Sequence, residues 1–327
     1  MELCYKRFAQ LLLLAATAVF AGCASGPAVS GNFEKSYTVS GPIRLELSNA
    51  SGDVSITGSG DGKVHVSATV QASGMGMDDT KTRLRETLSN PPIEQIGDTI
   101  RIGRDVARLR NVSISYKIEV PRNTEVNTSI AAGAQTIRNV HGPVKAQAAS
   151  GSIRVDHIDR YAQLNTASGT LTASDVGDDV RANSVSGNVA VSKIKGDVDI
   201  SALAGTIEAS QVGGRTSAET MSGSIDVQGA TNDVKARSAS GRVNVQGNPA
   251  ANSYWELKTV SGSVQINVPS NANFHLTAGA STGEIRTDIP IVIEEQDKHS
   301  LRAHVGTNGG RVEIHTTSGE IRISGSN

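Results

Sequence analysis

The chain contains 327 residues, with 34 glycines, an aromatic share of 3%, and 31 basic residues against 32 acidic ones. Its near-neutral charge disfavours nucleic-acid binding, because neutralising phosphates requires a basic excess. Its aromatic shortage excludes a core built from large rings, yet its 37% hydrophobic share is too high for a disordered chain. The composition therefore predicts a folded protein whose core consists of small and β-branched side chains.

Residues 1–22 have the features of a bacterial export signal. Lys6 and Arg7 precede an apolar run over residues 8–20, which is too short to span a bilayer. The five residues that end at Cys23 read VFAGC and resemble the lipobox of bacterial lipoproteins, with Phe where Leu is usual. This resemblance implies that Cys23 becomes the lipidated first residue, and ordinary secretory cleavage near a cysteine is the alternative.

Cys23 would be the only cysteine of the mature protein, because Cys4 is removed with the signal. It then has no partner for an intramolecular disulfide, and acyl chains on it would anchor the protein to the membrane. By the sorting rule of bacterial lipoproteins, the following Ala24 and Ser25 predict the outer membrane if the cell is Gram-negative. Residues 23–35 are rich in Ser, Gly and Ala, and they predict a flexible tether.

An eighteen-residue repeat dominates the middle of the chain. A small residue followed by glycine recurs at this interval from Gly133 to Gly241, at longer intervals up to Gly319, and as an isolated copy at Gly52. Between the glycines, apolar or small residues fall at offsets two, four, seven, eleven, thirteen and fifteen, which indicates two short strands and two corners per repeat. Stacked units of this kind bury a continuous narrow core. The sequence therefore predicts an all-β fold, a single-chain parallel β-solenoid, which the crossover rule favours as right-handed.

The predicted solenoid forms one domain over residues 36–325. Residues 36–130 are predicted to form irregular N-terminal coils with a cap. Residues 131–247 form the regular coils, and residues 248–325 form longer C-terminal coils. One short helix is predicted near residues 78–89, because Leu84 and Leu88 lie four residues apart and two prolines follow. We expect this helix to cover an open end of the solenoid, since terminal repeats need protection.

Segments on both sides of the regular repeats carry a family resemblance. The run of Ser-Gly-x-Ile/Val units is preceded by two segments, Tyr116–Pro121 (YKIEVP) and Asn123–Val126 (NTEV). The run is followed by Gly309–Ile323 (GGRVEIHTTSGEIRI). In this order they resemble the bacterial "putative adhesin" β-strand repeat family, a domain of unknown function. The resemblance implies a β-helical fold and an envelope location, and it supplies no catalytic residue.

The longer C-terminal coils contain the candidate site residues. Three aromatic residues cluster there: Tyr254, Trp255 and Phe274. They could form a binding platform, although filling a wider core is the favoured interpretation. His304 and His315 point outward by strand alternation and could hold a metal with Glu313 if their strands pair, but exposed histidines without supporting partners are commoner. The sequence therefore predicts no metal and no cofactor.

No catalytic constellation emerges from the sequence. The Ser-Gly corners lack a placed histidine and acid, and outward positions mix charges as a solvated face does. The leading hypothesis is a non-enzymatic envelope lipoprotein whose rigid surface serves adhesion, binding a protein or glycan, or acts as a spacer. The alternatives are a carbohydrate-active β-helix enzyme (a polysaccharide lyase or hydrolase) and an envelope-stress or signalling accessory.

Overall fold

A computed structural model of the protein describes residues 28–39, 41–74, 76–103 and 111–326. The predicted signal peptide lies outside these residues. In chain order the strands are β1 (Ala28–Thr38), β2 (Arg44–Ser51), β3 (Val54–Ser59), β4 (Lys63–Ser73), β5 (Ile93–Ile96), β6 (Thr99–Ile102), β7 (Val112–Pro121), β8 (Glu125–Ala132), β9 (Gln135–Val140), β10 (Val144–Ser150), β11 (Ile153–Ile158), β12 (Ala162–Ser168), β13 (Leu171–Val176), β14 (Val180–Ser186), β15 (Val189–Ile194), β16 (Val198–Ala204), β17 (Ile207–Val212), β18 (Thr216–Ser222), β19 (Ile225–Ala230), β20 (Val234–Ser240), β21 (Val243–Gly247), β22 (Tyr254–Ser261), β23 (Val264–Pro269), β24 (Phe274–Thr282), β25 (Ile285–Thr287), β26 (Val292–Gln296), β27 (Ser300–Val305), β28 (Gly310–Ser318) and β29 (Ile321–Ser326). One helix, α1 (Met77–Ser89), follows β4 and confirms the predicted helix.

The described strands form two long sheets, of fourteen and fifteen strands. The first sheet has the spatial order β1-β4-β7-β3-β9-β11-β13-β15-β17-β19-β21-β23-β29-β25, and the second has β26-β27-β24-β28-β22-β20-β18-β16-β14-β12-β10-β8-β2-β6-β5. From β8 to β23, consecutive strands alternate between the sheets, and strands of successive coils pair in parallel, as β10 does with β12. This arrangement confirms the predicted parallel β-solenoid of two-strand coils. Its handedness stays a prediction.

One corner of every coil is occupied by a repeated glycine because a larger residue does not fit. The corner glycines have φ angles between 115° and 154°: Gly52, Gly133, Gly151, Gly169, Gly187, Gly205, Gly223, Gly241, Gly262, Gly283 and Gly319. At Gly187 an added Cβ would overlap the carbonyl of Gly169 in the preceding coil. The N–H of Gly187 donates to Ala204 O in the following coil, at 3.1 Å. Inward hydroxyls also bond to these corners, as Ser238 Oγ donates to Gly223 O at 3.2 Å. The glycine period is therefore a steric requirement of coil stacking.

Close to the second corner, five strands of the first sheet each contain a non-glycine residue in the left-handed conformation, one position before the strand ends. Their φ angles lie between 52° and 57°: Asn139, His157, Asp175, Lys193 and Gln211. At this position two consecutive side chains face outward, as Asp156 and His157 do between the buried Val155 and Ile158. This outward pair explains why the apolar spacing widens from two to three between offsets four and seven. Each left-handed residue costs about 1–2 kcal/mol, which the regular pairing on both sides must offset.

The N-terminal end is closed by antiparallel strands and the helix. β1 pairs with β4, and β4 pairs with β7, both antiparallel. α1 packs against β1 and β4, and an added Cβ at Gly31 would lie only 2.7 Å from Leu88 Cδ1. The predicted flexible tether is therefore wrong over residues 28–35, which belong to β1: Val29 and Phe33 face inward between exposed residues and find a partner strand in β4. No helix among the described residues is long and apolar enough to cross a membrane.

The C-terminal coils stack in an order that differs from their order in the chain. The coil formed by β28 and β29 lies between the β22–β23 coil and the β24–β25 coil. The corner glycines follow this order, because Gly319 stacks on Gly262 and Gly283 stacks on Gly319. The hairpin of β26 and β27 then pairs antiparallel with β24 and closes this end of the second sheet. Longer coils were predicted here, but this insertion was not.

Candidate functional site

The outward face of the second sheet, near its C-terminal end, contains most of the predicted site residues. Tyr254 lies on β22, Glu313 and His315 lie on β28, and His304 lies on β27. All four side chains point away from the core, as strand alternation predicts. Cys23, the predicted lipidation site, lies outside the described residues.

The other two aromatic candidates face inward. Trp255 and Phe274 are among the largest fully buried side chains, and Trp255 Nε1 donates to Asn232 O at 2.8 Å. They lie where the spacing of corner glycines grows from eighteen to twenty-one residues, so they fill the wider core. These two rings cannot serve as a surface platform, which leaves Tyr254 alone of the predicted three.

Tyr254 is held in place by a carboxylate on the neighbouring strand. Its side chain is 38% exposed, and its hydroxyl donates to Glu313 Oε2. This hydrogen bond, with a smaller contribution from desolvation, raises the pKa of Tyr254 to about 12. Tyr254 therefore remains a neutral hydrogen-bonding group at physiological pH.

The predicted metal ligands are not brought together. β24 lies between β27 and β28, so the strands of His304 and His315 do not pair. The cross-strand neighbour of His304 is His275 on β24, and that of His315 is Gly279. Within the described residues, no three or more His, Cys, Asp or Glu side chains form a group that could hold a metal.

Ion pairs cross the coils on the same face. Lys235 Nζ lies 2.7 Å from Glu219 Oε1, and Arg237 Nη2 lies 2.7 Å from Glu256 Oε2. Lys258 also bonds to Glu256, whose side chain is only 13% exposed. Burial acts to raise the pKa of Glu256, but the hydrogen bonds from Lys258 and Arg237 together outweigh it and lower that pKa. The mixed charges predicted as a solvated face thus form an ordered ladder.

A row of exposed apolar side chains crosses the second sheet near the carboxyl ends of its strands. Each member lies two residues before a corner glycine, and together they form the apolar ridge: Ala149, Ala167, Val185, Leu203, Met221, Ala239 and Val260. The large members Val185, Leu203, Met221 and Val260 are 38%, 36%, 60% and 57% exposed. The sequence contained the signal for this ridge, since the position recurs with the glycine period.

An open depression of about 400 Å³ lies near the N-terminal end of the solenoid. Its lining includes the acidic residues Asp98 and Glu125 and the basic residue Arg44. Arg44 Nη2 lies 3.1 Å from Glu125 Oε2, so one of the two carboxylates is neutralised by an ion pair.

Residues 163–324 match the family model described as Toastrack DUF4097, which confirms the resemblance drawn from the sequence. Solved structures that align with the chain include the following two. A "putative cell adhesion protein" from Clostridium sporogenes ATCC 15579 is 12% identical, over 90% of this chain and 100% of that one, with a TM-score of 0.22. A "putative adhesin" from Bacteroides fragilis NCTC 9343 is 12% identical, over 90% of this chain and 97% of that one, with a TM-score of 0.24. No curated protein matches the chain.

Proposed function

We propose that this chain, whose residues 163–324 match the Toastrack DUF4097 model, is a non-enzymatic envelope lipoprotein whose apolar ridge binds a partner protein. Acyl chains on Cys23 anchor it, and the solenoid holds the ridge in a fixed geometry. The observation that carries this function is the row of exposed Val, Leu and Met side chains on successive coils. Monomeric soluble proteins rarely expose contiguous apolar patches larger than a few hundred Å², and larger patches mark interaction sites.

The ridge is suited to a protein partner because it is apolar, straight and rigid. Its seven members lie on successive coils spaced about 4.8 Å apart, so the ridge extends about 29 Å. The backbone of the paired strands is already ordered and loses little freedom when the ridge binds, which lowers the entropic cost of association. A glycan is a weaker candidate, because the ridge contains no aromatic ring and no side-chain hydrogen-bonding group. The partner would present an apolar groove with a polar rim that meets the serines next to the ridge.

The anchor would hold the N-terminal end of the solenoid close to the bilayer. β1 begins at Ala28, five residues after Cys23, so even an extended connection spans at most about 18 Å. Cys23→Ser should remove the acyl mass and release the protein from the membrane fraction. Unchanged mass and unchanged membrane partition in this variant would contradict the anchoring.

The ridge can be tested with charge substitutions on the two faces of neighbouring coils. Leu203→Glu and Met221→Glu place charge on the ridge, whereas Ser192→Glu and Ser210→Glu place it on the outward face of the first sheet. A photoreactive residue at position 185 should capture one protein in cells. We expect the ridge variants to lose this cross-link and the control variants to keep it, with circular dichroism unchanged in all four. A cross-link that survives on the charged ridge, or no cross-link at all, would refute protein binding there.

The carbohydrate-active enzyme remains the second candidate, and the depression lined by Asp98 and Glu125 is where its acids would have to act. The test is turnover of envelope polysaccharides by the purified protein. Turnover that disappears in Glu125→Gln, with the fold intact, would replace the binding function with an enzymatic one. We expect no turnover, because the depression is open to solvent and the sequence contains no catalytic constellation there.

A further inference from the structure

Two histidines face each other on the outward side of the C-terminal end. His275 on β24 and His304 on β27 are directly opposite in an antiparallel pair. Their ring centroids are 6.0 Å apart, and the ring planes are inclined at 47°. β24 is the last strand of the solenoid in this sheet, whereas β27 belongs to the closing hairpin. The pair therefore spans the boundary between the solenoid and the hairpin that covers it.

A carboxylate orients one of these imidazoles. Glu294 Oε1 lies 2.9 Å from His304 Nδ1. The register of β26 on β27 shifts between Ile293 and Glu295, and this bulge directs the intervening Glu294 toward His304. When Nδ1 donates to this carboxylate, Nε2 carries the free lone pair. A histidine held by a carboxylate in this way is the usual supporting arrangement of a metal ligand.

The spacing of the rings is close to that of two ligands on one metal ion. Zinc binds imidazole nitrogen at about 2.0–2.1 Å, so two rings at a tetrahedral angle on one ion place their centroids about 5.2 Å apart. The observed centroid distance is 6.0 Å, so a small rotation of the two side chains has to shorten it before both nitrogens reach one ion. Arg311 on β28 is the cross-strand neighbour of His275, and its positive charge disfavours a cation at the site. The negative charge of Glu294 favours a cation there.

We propose that His275 and His304 bind a divalent transition metal such as Zn²⁺, with Glu294 orienting His304. The described residues supply no third ligand, so water or a donor from a partner completes the coordination. The site is consequently open, as sites that accept an outside ligand are, and unlike closed structural zinc sites. A bound ion would also connect the closing hairpin to the solenoid.

The test is calorimetric titration of the full protein, without a polyhistidine tag, with Zn²⁺. We expect one ion per chain, with affinity reduced at least tenfold in His275→Ala and in His304→Ala, and about 10–100-fold in Glu294→Gln. His315→Ala is the matched control, because this exposed histidine on the same face has Gly279 opposite it.

A second measurement separates ligation from folding. Nitrogen-15 NMR of the wild-type imidazoles should show Zn²⁺ shifting one nitrogen in both His275 and His304, while His315 is unchanged. Binding that persists in His275→Ala, an equal loss in His315→Ala, or the absence of any zinc-dependent shift in these two rings would overturn the site.

Discussion

The corner at Gly187 offers a direct test of why glycine recurs in this chain. Its φ of 149° is a conformation that residues with a Cβ rarely adopt, and an added Cβ would lie 2.7 Å from the carbonyl carbon of Gly169. Because the obstructing atoms are backbone, no side-chain rotation relieves the overlap, and the two coils must separate locally. Strained backbone costs about 1–3 kcal/mol, and weakening the hydrogen bond that Gly169 N–H donates to Ser186 O across these two coils adds about 1 kcal/mol. We expect Gly187→Ala to lower the free energy of unfolding by about 2–4 kcal/mol.

Gly62→Ala is the matched control for this substitution. Gly62 is not in the left-handed region, and an added Cβ there would meet nothing within 4 Å. Its free energy of unfolding should change by no more than about 0.5 kcal/mol. Urea denaturation followed by circular dichroism gives both values and the wild-type reference. Equal free energies of unfolding for the two variants would refute the steric explanation of the repeat.

Three further predictions concern single side chains. Lys193→Val should lower the free energy of unfolding by about 1–2 kcal/mol, because a β-branched residue disfavours the positive φ of this position. Lys193→Asn should leave the free energy of unfolding unchanged, and equal thermal denaturation of the two variants would contradict the prediction. Glu313→Gln should bring the pKa of Tyr254 down from about 12 toward its ordinary value, and an unchanged tyrosinate absorbance titration would exclude the carboxylate as the cause. The lowered pKa of Glu256 means that its ionised form stabilises the fold above the unfolded pKa, and that this stability is lost as pH falls through the folded pKa. Glu256→Gln should therefore lose less free energy of unfolding between pH about 7 and pH about 3 than the wild type, and an equal loss in denaturation curves would rule Glu256 out.

The regular coils could be predicted because each one repeats the same local constraint. A glycine at the corner and apolar residues at fixed offsets satisfy one coil whichever coil lies next to it. For the same reason the order of the last three coils could not be predicted, since Gly283 and Gly319 are equivalent partners for Gly262 by pattern alone. Tertiary pairing decides the order: β27 occupies one edge of β24, and β28 occupies the other. The strand over residues 28–35 was missed similarly, because its partner β4 lies far along the chain.

The candidate sites show the same limit. Strand alternation placed His304 and His315 on the outward face, but alternation does not reveal which strands are neighbours. Only the observed register brings His275 opposite His304 and Glu294 beside it. Both corners of each repeat were predicted, but the left-handed residues near the second corner were not, although the wider apolar spacing marks their position at every coil. They were overlooked because residues such as Lys193 carry no local preference for positive φ.

The insertion of the C-terminal coil has a consequence for how the chain folds during synthesis. Residues 310–326 leave the ribosome after both of the coils that they separate, although domains commonly begin folding from the N-terminal side. The β22–β23 and β24–β25 coils must therefore stay apart, or part again, until the last coil arrives between them. Val312 and Ile314, both fully buried, enter the core only at that moment. The C-terminal end of the solenoid can thus be completed only after residues 310–326 have been translated.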